Sequence, residues 1–311
     1  MSPSPTRVIL DTDIGTDVDD CIALAFLLGS PEVQLDAITT VYADVALRAR
    51  MARKLLALRG GDAAAIPVYE GIAEPLLGIQ PIYWPGHEGV GLLEEGDDER
   101  FADGPAQHAV DFLIAHVLAH PGEIHLLAVG PLTNVAAAIT REPRFAGALK
   151  HLTIMGGWFA VTPTSSQGPA EHNIRCDPEA AHIVLSSGAP MSLVPLDVTL
   201  RALIDRTGVE ALRTTGTPYH DAVAQQIADY PGFVARGGST FLHDPLAAAT
   251  LVRPEILRWT NLAVRVELHG TITSAMTVGF PPSADRPATA RVALDLDRSA
   301  SEAFIVERIA G

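Results

Sequence analysis

Along this chain, short apolar runs alternate with longer stretches whose apolar residues recur at helical spacing. The apolar runs predict buried β-strands at residues 8–10, 35–41, 124–129, 152–155 and 191–198. The stretches between them predict α-helices at residues 18–28, 45–58, 106–119, 133–139 and 179–187. This alternation predicts an α/β fold in which a mostly parallel central sheet is flanked by helices.

The pattern changes after about residue 260. Residues 262–268, 271–278 and 291–296 predict short strands joined by turns, so we expect a small antiparallel addition near the C-terminus. Residues 299–309 predict a closing helix. The chain contains no internal repeat or obvious linker, and residues 1–311 are therefore expected to form a single domain.

Two Asp-Pro pairs predict helix starts. Asp177-Pro178 and Asp244-Pro245 each place a carboxylate that can cap a helix before a proline suited to the first helical position. For Asp177 we favour this capping role over a catalytic one.

Composition and charge exclude several functional classes. The chain is 48% hydrophobic and 19% charged, which is enough to fill a sizeable core. Its net charge of −15 argues against a nucleic-acid polymer or an anionic membrane as partner and is compatible with a small neutral substrate. Cys21 and Cys176 lie far apart without metal-binding spacing, which favours reduced thiols. With no apolar targeting or membrane segment in the sequence, we expect a cytoplasmic protein.

The strongest candidate for chemistry is an acidic segment at residues 11–20, directly after the first apolar run. It reads Asp-Thr-Asp-Ile-Gly-Thr-Asp-Val-Asp-Asp and holds five carboxylates in ten positions. Such a density of negative charge repels itself unless a cation lies among it. A hard divalent ion with oxygen ligands, Ca²⁺ or Mg²⁺, suits these groups. Because open α/β sheets bind ligands at the carboxyl ends of their strands, the segment predicts a metal or substrate site.

Four further segments fall at predicted strand ends, where they could meet the acidic segment. They are Val129-Gly130-Pro131-Leu132-Thr133-Asn134, Met155-Gly156-Gly157, Glu171-His172-Asn173 with residues 176–181, and Leu242-His243-Asp244-Pro245-Leu246-Ala247. Together, and in this order, the five segments resemble the inosine–uridine-preferring nucleoside hydrolase family over nearly the whole chain. The resemblance implies a Rossmann-like α/β domain that hydrolyses the N-glycosidic bond of ribonucleosides to free base and ribose, with Ca²⁺ as cofactor.

The resemblance also implies roles for single residues. The implied metal ligands are Asp13, Asp20, Asp244 and the main-chain carbonyl of Val129. Asp13 is implied to be the base that activates a metal-bound water, His243 is the candidate acid for the leaving base, and Asp11 is a supporting carboxylate. The implied substrate-binding residues are Asp19, Asp44, Met155, Glu171 and Asn173.

Three departures from the family pattern leave alternatives open. Asp17-Val18 is additional before Asp19-Asp20, so either Asp17 or the later pair matches the family's terminal carboxylates. Asp44 stands where many members have an asparagine. In the loop at residues 85–91 the histidine, His87, is shifted, which leaves the preferred base open. Activity on deoxyribonucleosides is open too, and the resemblance implies a homodimer or homotetramer without choosing between them.

Two rival interpretations explain less of the sequence. Haloacid-dehalogenase-like phosphohydrolases also begin with a strand and an Asp-x-Asp motif, but they need a downstream lysine and acidic pair, and no such pair follows Lys150. A non-enzymatic Ca²⁺ module of the EF-hand type lacks its glycine and its bidentate glutamate here. Release of phosphate rather than ribose would indicate the first rival, and no turnover would favour the second.

Overall fold

The computed structural model describes residues 4–79, 81–160 and 168–311. Within these residues two short 3₁₀ helices lie at Gly61–Ala65 and Pro254–Ile256. The strands and α-helices follow one another as β1 (Thr6–Thr12), α1 (Asp19–Leu28), β2 (Val33–Thr40), α2 (Val45–Arg59), β3 (Val68–Glu70), α3 (Asp97–Arg100), α4 (Ala109–Ala119), β4 (Ile124–Ala128), α5 (Thr133–Arg141), α6 (Phe145–Ala148), β5 (His151–Met155), α7 (His172–Cys176), α8 (Pro178–Leu185), β6 (Met191–Val194), α9 (Leu196–Thr199), β7 (Leu203–Asp205), α10 (Arg206–Arg213), α11 (Pro218–Asp229), α12 (Pro231–Ala235), β8 (Ser239–Phe241), α13 (His243–Ala249), β9 (Leu257–Val266), β10 (Thr277–Phe280), β11 (Ala290–Leu296) and α14 (Arg298–Ile309).

The described part of the chain forms a nine-stranded sheet with the strand order β10-β9-β11-β6-β5-β4-β1-β2-β3. The neighbours from β3 to β11 pair in parallel, whereas β9 pairs antiparallel with both β11 and β10. A separate antiparallel pair joins β7 and β8. The prediction of a mostly parallel α/β sheet with an antiparallel addition near the C-terminus is therefore confirmed.

Strand β1 shows why the apolar runs become central strands. Val8 and Leu10 point into the core on the side of α1, while Ile9 points into the core on the side of α4 and α5. All three are at most 1% exposed. Because a parallel strand is covered by helices on both faces, both sets of alternating positions must be apolar.

Some predicted boundaries are wrong for identifiable reasons. The predicted strand at residues 191–198 ends at Val194, because Pro195 has no N–H for the sheet and α9 begins after it. Residues 271–275 form turns, and only Thr277–Phe280 of this region pairs with β9.

The two Asp-Pro pairs differ in their outcome. The Asp177 carboxylate accepts a 3.0 Å hydrogen bond from the N–H of Ala180 and caps α8, as predicted. At the second pair, α13 begins two residues earlier than predicted, at His243 instead of Pro245. Asp244 therefore lies in the first turn of α13 and forms no cap, which leaves its carboxylate available for another role.

The topology brings the sequence motifs to one edge of the sheet. The strand order reverses at β1, which lies between β2 and β4, and ligands bind at such switch points, outside the carboxyl ends of the strands. The acidic segment begins in the last two residues of β1 and continues past its carboxyl end, and Val129 and Met155 lie at the carboxyl ends of β4 and β5. None of the helices in the described residues is long and apolar enough to cross a membrane.

Candidate active site

A cavity of about 710 Å³ opens at this edge of the sheet. Nine of the ten residues proposed for catalysis, metal binding or substrate binding line it: Asp13, Asp19, Asp20, Val129, Met155, Glu171, Asn173, His243 and Asp244. The tenth, Asp44, lies elsewhere. Its side chain is exposed and caps α2, where it accepts a 2.8 Å hydrogen bond from the N–H of Leu47.

Three carboxylates at the back of the cavity can share one cation. Oxygen atoms of Asp19, Asp20 and Asp244 lie within 4.8 Å of one another. Asp19 and Asp20 begin α1, Asp244 is in the first turn of α13, and these two helices pack together. All three side chains are buried, and burial together with the neighbouring carboxylates raises the pKa of each well above its usual value.

This donor set fits a hard divalent ion. The donors are oxygens, which Ca²⁺ and Mg²⁺ prefer, and a cation would remove the mutual repulsion that now opposes ionisation. Asp20 is oriented by the hydroxyl of Thr12, which donates a hydrogen bond to its Oδ1. The triad contains Asp20 and Asp244 of the predicted metal set, and in it Asp19 stands in place of Asp13.

Asp13 and Val129 lie on the wall of the same cavity. Oδ1 of Asp13 packs against Gly130, where an added Cβ would lie only 2.9 Å away. The carbonyl of Val129 accepts a 2.6 Å hydrogen bond from Nδ2 of Asn173, so one of its two lone pairs is already engaged. Burial raises the pKa of Asp13, and the charge of Arg48 opposes that shift.

Glu171 and Asn173 are held in place by the backbone. Glu171 caps α7 and accepts hydrogen bonds from the N–H groups of Asn173, Ile174 and Gly157 at 2.8, 3.1 and 3.2 Å. Burial nevertheless raises the pKa of Glu171 to about 7. Nδ2 of Asn173 also reaches the carbonyl of Met155 at 3.2 Å, which ties the Glu171 and Met155 segments together.

His243 lies on another wall of the cavity. Its Nδ1 shares a 2.7 Å hydrogen bond with the hydroxyl of Thr199. Burial and the positive charge of Arg236 lower the pKa of His243 to about 3, so the imidazole is neutral near pH 7. Arg236 itself stacks on the ring of Phe241, 4.6 Å from its centroid.

Asp17 of the acidic segment also lines the cavity, as do two residues that no sequence motif marks. Asp17 lines the cavity but is not part of the triad, so the pair Asp19-Asp20, and not Asp17, comes within reach of Asp244. Tyr230 and Arg236 also line the cavity, and Arg236 is the only arginine or lysine among its described lining residues. Arg175 is nearer in sequence to the motif residues, only two positions past Asn173, but it is not among these lining residues. Tyr230 and Arg236 stand in no recognisable motif, so the chain offered no signal for them.

Comparison with known proteins matches this geometry to one family. A family model described as inosine-uridine preferring nucleoside hydrolase matches residues 8–303. The inosine-uridine preferring nucleoside hydrolase of Leishmania major is 32% identical over 304 residues, covering 94% of this chain and 95% of the relative. The pyrimidine-specific ribonucleoside hydrolase of Enterobacter sp. is 34% identical over 316 residues, covering 97% of each.

Solved structures agree with the sequence relatives. A plant nucleoside hydrolase has a TM-score of 0.86 at 30% identity and covers 99% of both chains. A purine-preferring ribonucleoside hydrolase from Gardnerella vaginalis has a TM-score of 0.85 at 30% identity and covers 98% of both chains. The matches therefore extend over nearly the whole length of this chain and of these relatives.

Proposed function

The chain belongs to the inosine–uridine-preferring nucleoside hydrolase family and is an enzyme that cleaves ribonucleosides, and we propose that it does so with Ca²⁺ in the acidic cavity. The observation that carries this proposal is the buried triad of Asp19, Asp20 and Asp244 beside Asp13. The products are the free base and ribose, and residues 1–311 act as one domain.

Asp20 and Asp244 are the proposed side-chain ligands, together with Asp13 and the carbonyl of Val129. Asp19, the third member of the triad, is close enough to join them or to bind a hydroxyl of the sugar. When bound, Ca²⁺ supplies electrostatic activation of water and a template for the two vicinal hydroxyls of ribose.

Asp13 is the proposed general base. Its carboxylate is buried in the wall of the cavity that holds the triad, where it can accept a proton from a bound water. The proton that leaves the attacking water passes to an oxygen of Asp13. Glu171, Asn173 and Met155 form the proposed sugar-binding wall, where the negative charge of Glu171 favours the cationic sugar that develops as the base departs.

His243 is proposed to serve the leaving base. In the tautomer in which the Thr199 hydroxyl donates to Nδ1, the N–H of the neutral ring is on Nε2, and the ring lines the cavity. This N–H can donate to the base as negative charge develops on it.

Release of reducing sugar from a panel of nucleosides tests the proposal. The panel contains both base classes, because relatives of similar identity are described as pyrimidine-specific and as purine-preferring. Each substrate is assayed after treatment with a chelator and again after Ca²⁺ or Mg²⁺ is returned. We expect ribose release that the chelator abolishes and Ca²⁺ restores best. Undiminished release in the chelator would refute the metal proposal while leaving the reaction intact.

We also propose a homodimer or homotetramer located in the cytoplasm. Leu77 and Ile79 are apolar and 61% and 71% exposed, which an interface between copies would cover. Cys21 and Cys176 are separate buried thiols, as expected in a reducing compartment. Light scattering during gel filtration measures the assembly, and a monomeric mass at micromolar concentration would contradict it.

A further inference from the structure

Arg48 is a fully buried cation behind the acidic segment. It lies in the first turn of α2, and none of its surface is exposed. A buried guanidinium destabilises the folded state unless its N–H donors are hydrogen-bonded. The partners of these donors therefore indicate which segments Arg48 holds in place.

The guanidinium binds backbone and hydroxyl oxygens. Nη1 donates to the carbonyls of Asp13 and of Ile14, the latter at 2.9 Å, and Nη2 donates to the hydroxyl of Thr16 at 2.9 Å. Nε donates to the carbonyl of Tyr42 at 2.7 Å. Among the described residues, no carboxylate forms an ion pair with Arg48. The carboxylates of the acidic segment are therefore left to the cavity.

The same side chain reaches the loop that borders the cavity. Its guanidinium carbon lies 5.1 Å from the centroid of the Trp84 ring. The neighbouring Tyr83 lines the cavity, and its N–H donates a 2.7 Å hydrogen bond to the hydroxyl of Tyr42. Arg48 thus joins the turn at residues 13–16, the end of β2 and this loop.

We propose that Arg48 is a positioning residue for the metal site, which holds the turn at residues 13–16 in its metal-receptive conformation before a cation binds. This inference rests on the metal-dependent function proposed above. A planar guanidinium with donors on three nitrogens can hydrogen-bond to two segments while its face contacts the ring of Trp84, and the single ammonium of lysine cannot reproduce this set of contacts.

Two possible roles of Arg48, balancing the acidic charge and positioning the turn, predict different effects of substitution on Ca²⁺ affinity. If Arg48 only balances the acidic charge, Arg48→Lys keeps Ca²⁺ affinity and Arg48→Met raises it, because a positive charge near the cation is removed. If Arg48 positions the turn, both variants weaken Ca²⁺ binding. We expect the second result, with the Ca²⁺ dissociation constant increased at least about tenfold in each variant, since several charge-assisted hydrogen bonds are lost.

Arg53 supplies a matched control in the same helix. Its side chain is 11% exposed and donates to the carbonyls of Phe101, Ala102 and Val68, away from the cavity. Arg53→Lys therefore removes comparable backbone contacts without touching the acidic segment. We expect it to lower the melting temperature while leaving Ca²⁺ affinity unchanged.

Two measurements on the full chain test the proposal. Calorimetric titration with Ca²⁺ alone gives the dissociation constants, and unchanged affinity in Arg48→Lys, or tighter binding in Arg48→Met, would overturn it.

Hydrogen–deuterium exchange on the metal-free proteins is the second measurement. We expect faster exchange at residues 13–18 in Arg48→Lys and not in Arg53→Lys, and equal rates there would also overturn it. If the unaltered protein bound no Ca²⁺, the metal proposal would fail, and the exchange experiment would still decide the role of Arg48.

Discussion

The hydroxyl of Tyr230 donates a 2.5 Å hydrogen bond to Oδ2 of Asp17, across a sequence separation of 213 residues. Oδ1 of Asp17 accepts a 2.6 Å bond from the N–H of Val18, so both carboxylate oxygens are engaged. These contacts hold Asp17 apart from the triad and account for one of the two carboxylates of the acidic segment, Asp11 and Asp17, that the triad and Asp13 do not use.

Tyr230→Phe is expected to destabilise the protein by about 1–3 kcal/mol, because it removes a hydrogen bond to a partly buried carboxylate. Urea unfolding in the presence of a chelator measures the loss. Tyr219→Phe is the matched control in α11, because the buried hydroxyl of Tyr219 has no partner among the described residues. Equal stability losses in the two variants would show that the Asp17 contact contributes nothing.

Asp13→Ala and Asp244→Ala are each expected to lower kcat by at least about two to three orders of magnitude. The first variant removes the proposed general base and a proposed metal ligand, and the second removes a proposed metal ligand. Ribose release measures the loss. Asp111→Ala removes a carboxylate that is 43% exposed and paired with Arg141, and we expect it to retain activity. Near-normal turnover in both cavity variants would mean that the site is wrongly identified.

His243→Ala is expected to affect natural nucleosides far more than p-nitrophenyl riboside. Loss of a general acid costs about 10²–10⁴-fold when the leaving group needs protonation, and p-nitrophenolate needs little. Comparison of kcat/KM on both substrates measures the effect. Thr199→Val should reproduce the pattern more weakly, since it removes only the hydroxyl that orients the ring. Equal losses on both substrates would instead assign His243 a structural role.

Nucleosides are expected to be cleaved with a kcat/KM roughly a thousandfold above that of their 5′-monophosphates, about 4 kcal/mol of discrimination. Six carboxylates line the cavity, namely Asp13, Asp17, Asp19, Asp20, Glu171 and Asp244, against the single described cation Arg236. A phosphate would meet strong repulsion there. Comparable turnover of both substrates, reduced for the nucleotide alone in Arg236→Gln, would reveal a phosphate site at Arg236.

Acid is expected to destabilise the fold through two histidines far from the active site. His125 and His151 face each other on β4 and β5 with ring centroids 5.1 Å apart, and burial lowers their pKa values to about 3 and about 4. Below pH 6.5, the usual histidine pKa, both imidazoles bind protons in the unfolded chain but stay neutral in the folded chain. The free energy of unfolding therefore falls as the pH drops toward 4.

His125→Gln removes one of these two titrating side chains. We expect the slope of unfolding free energy against pH between pH 6.5 and 4 to decrease by at most about 1.4 kcal/mol per unit. Urea unfolding at several pH values measures the two slopes. An unchanged slope would show that His125 titrates normally in the folded protein.

The sequence predicted the sheet well because a buried parallel strand leaves a run of apolar residues such as Val8, Ile9 and Leu10. It predicted the location of the acidic segment because the topology gathers the carboxyl ends of the strands. The meeting of Asp20 with Asp244 came from family resemblance, since nothing in their spacing requires it. Arg48 could not be predicted, because an arginine in an amphipathic helix usually faces solvent, and its buried position depends on the path of the turn at residues 13–16.

The packing of α1 against α13 has a consequence for biosynthesis. Asp19 and Asp20 leave the ribosome early, whereas Asp244 emerges only in the last quarter of translation. The triad therefore cannot assemble on a nascent chain until β1–β6, six of the nine strands of the main sheet, have been synthesised. A product truncated before α13 would carry the acidic segment without the helix that completes its cation site, so metal loading would mark chains that extend at least through α13.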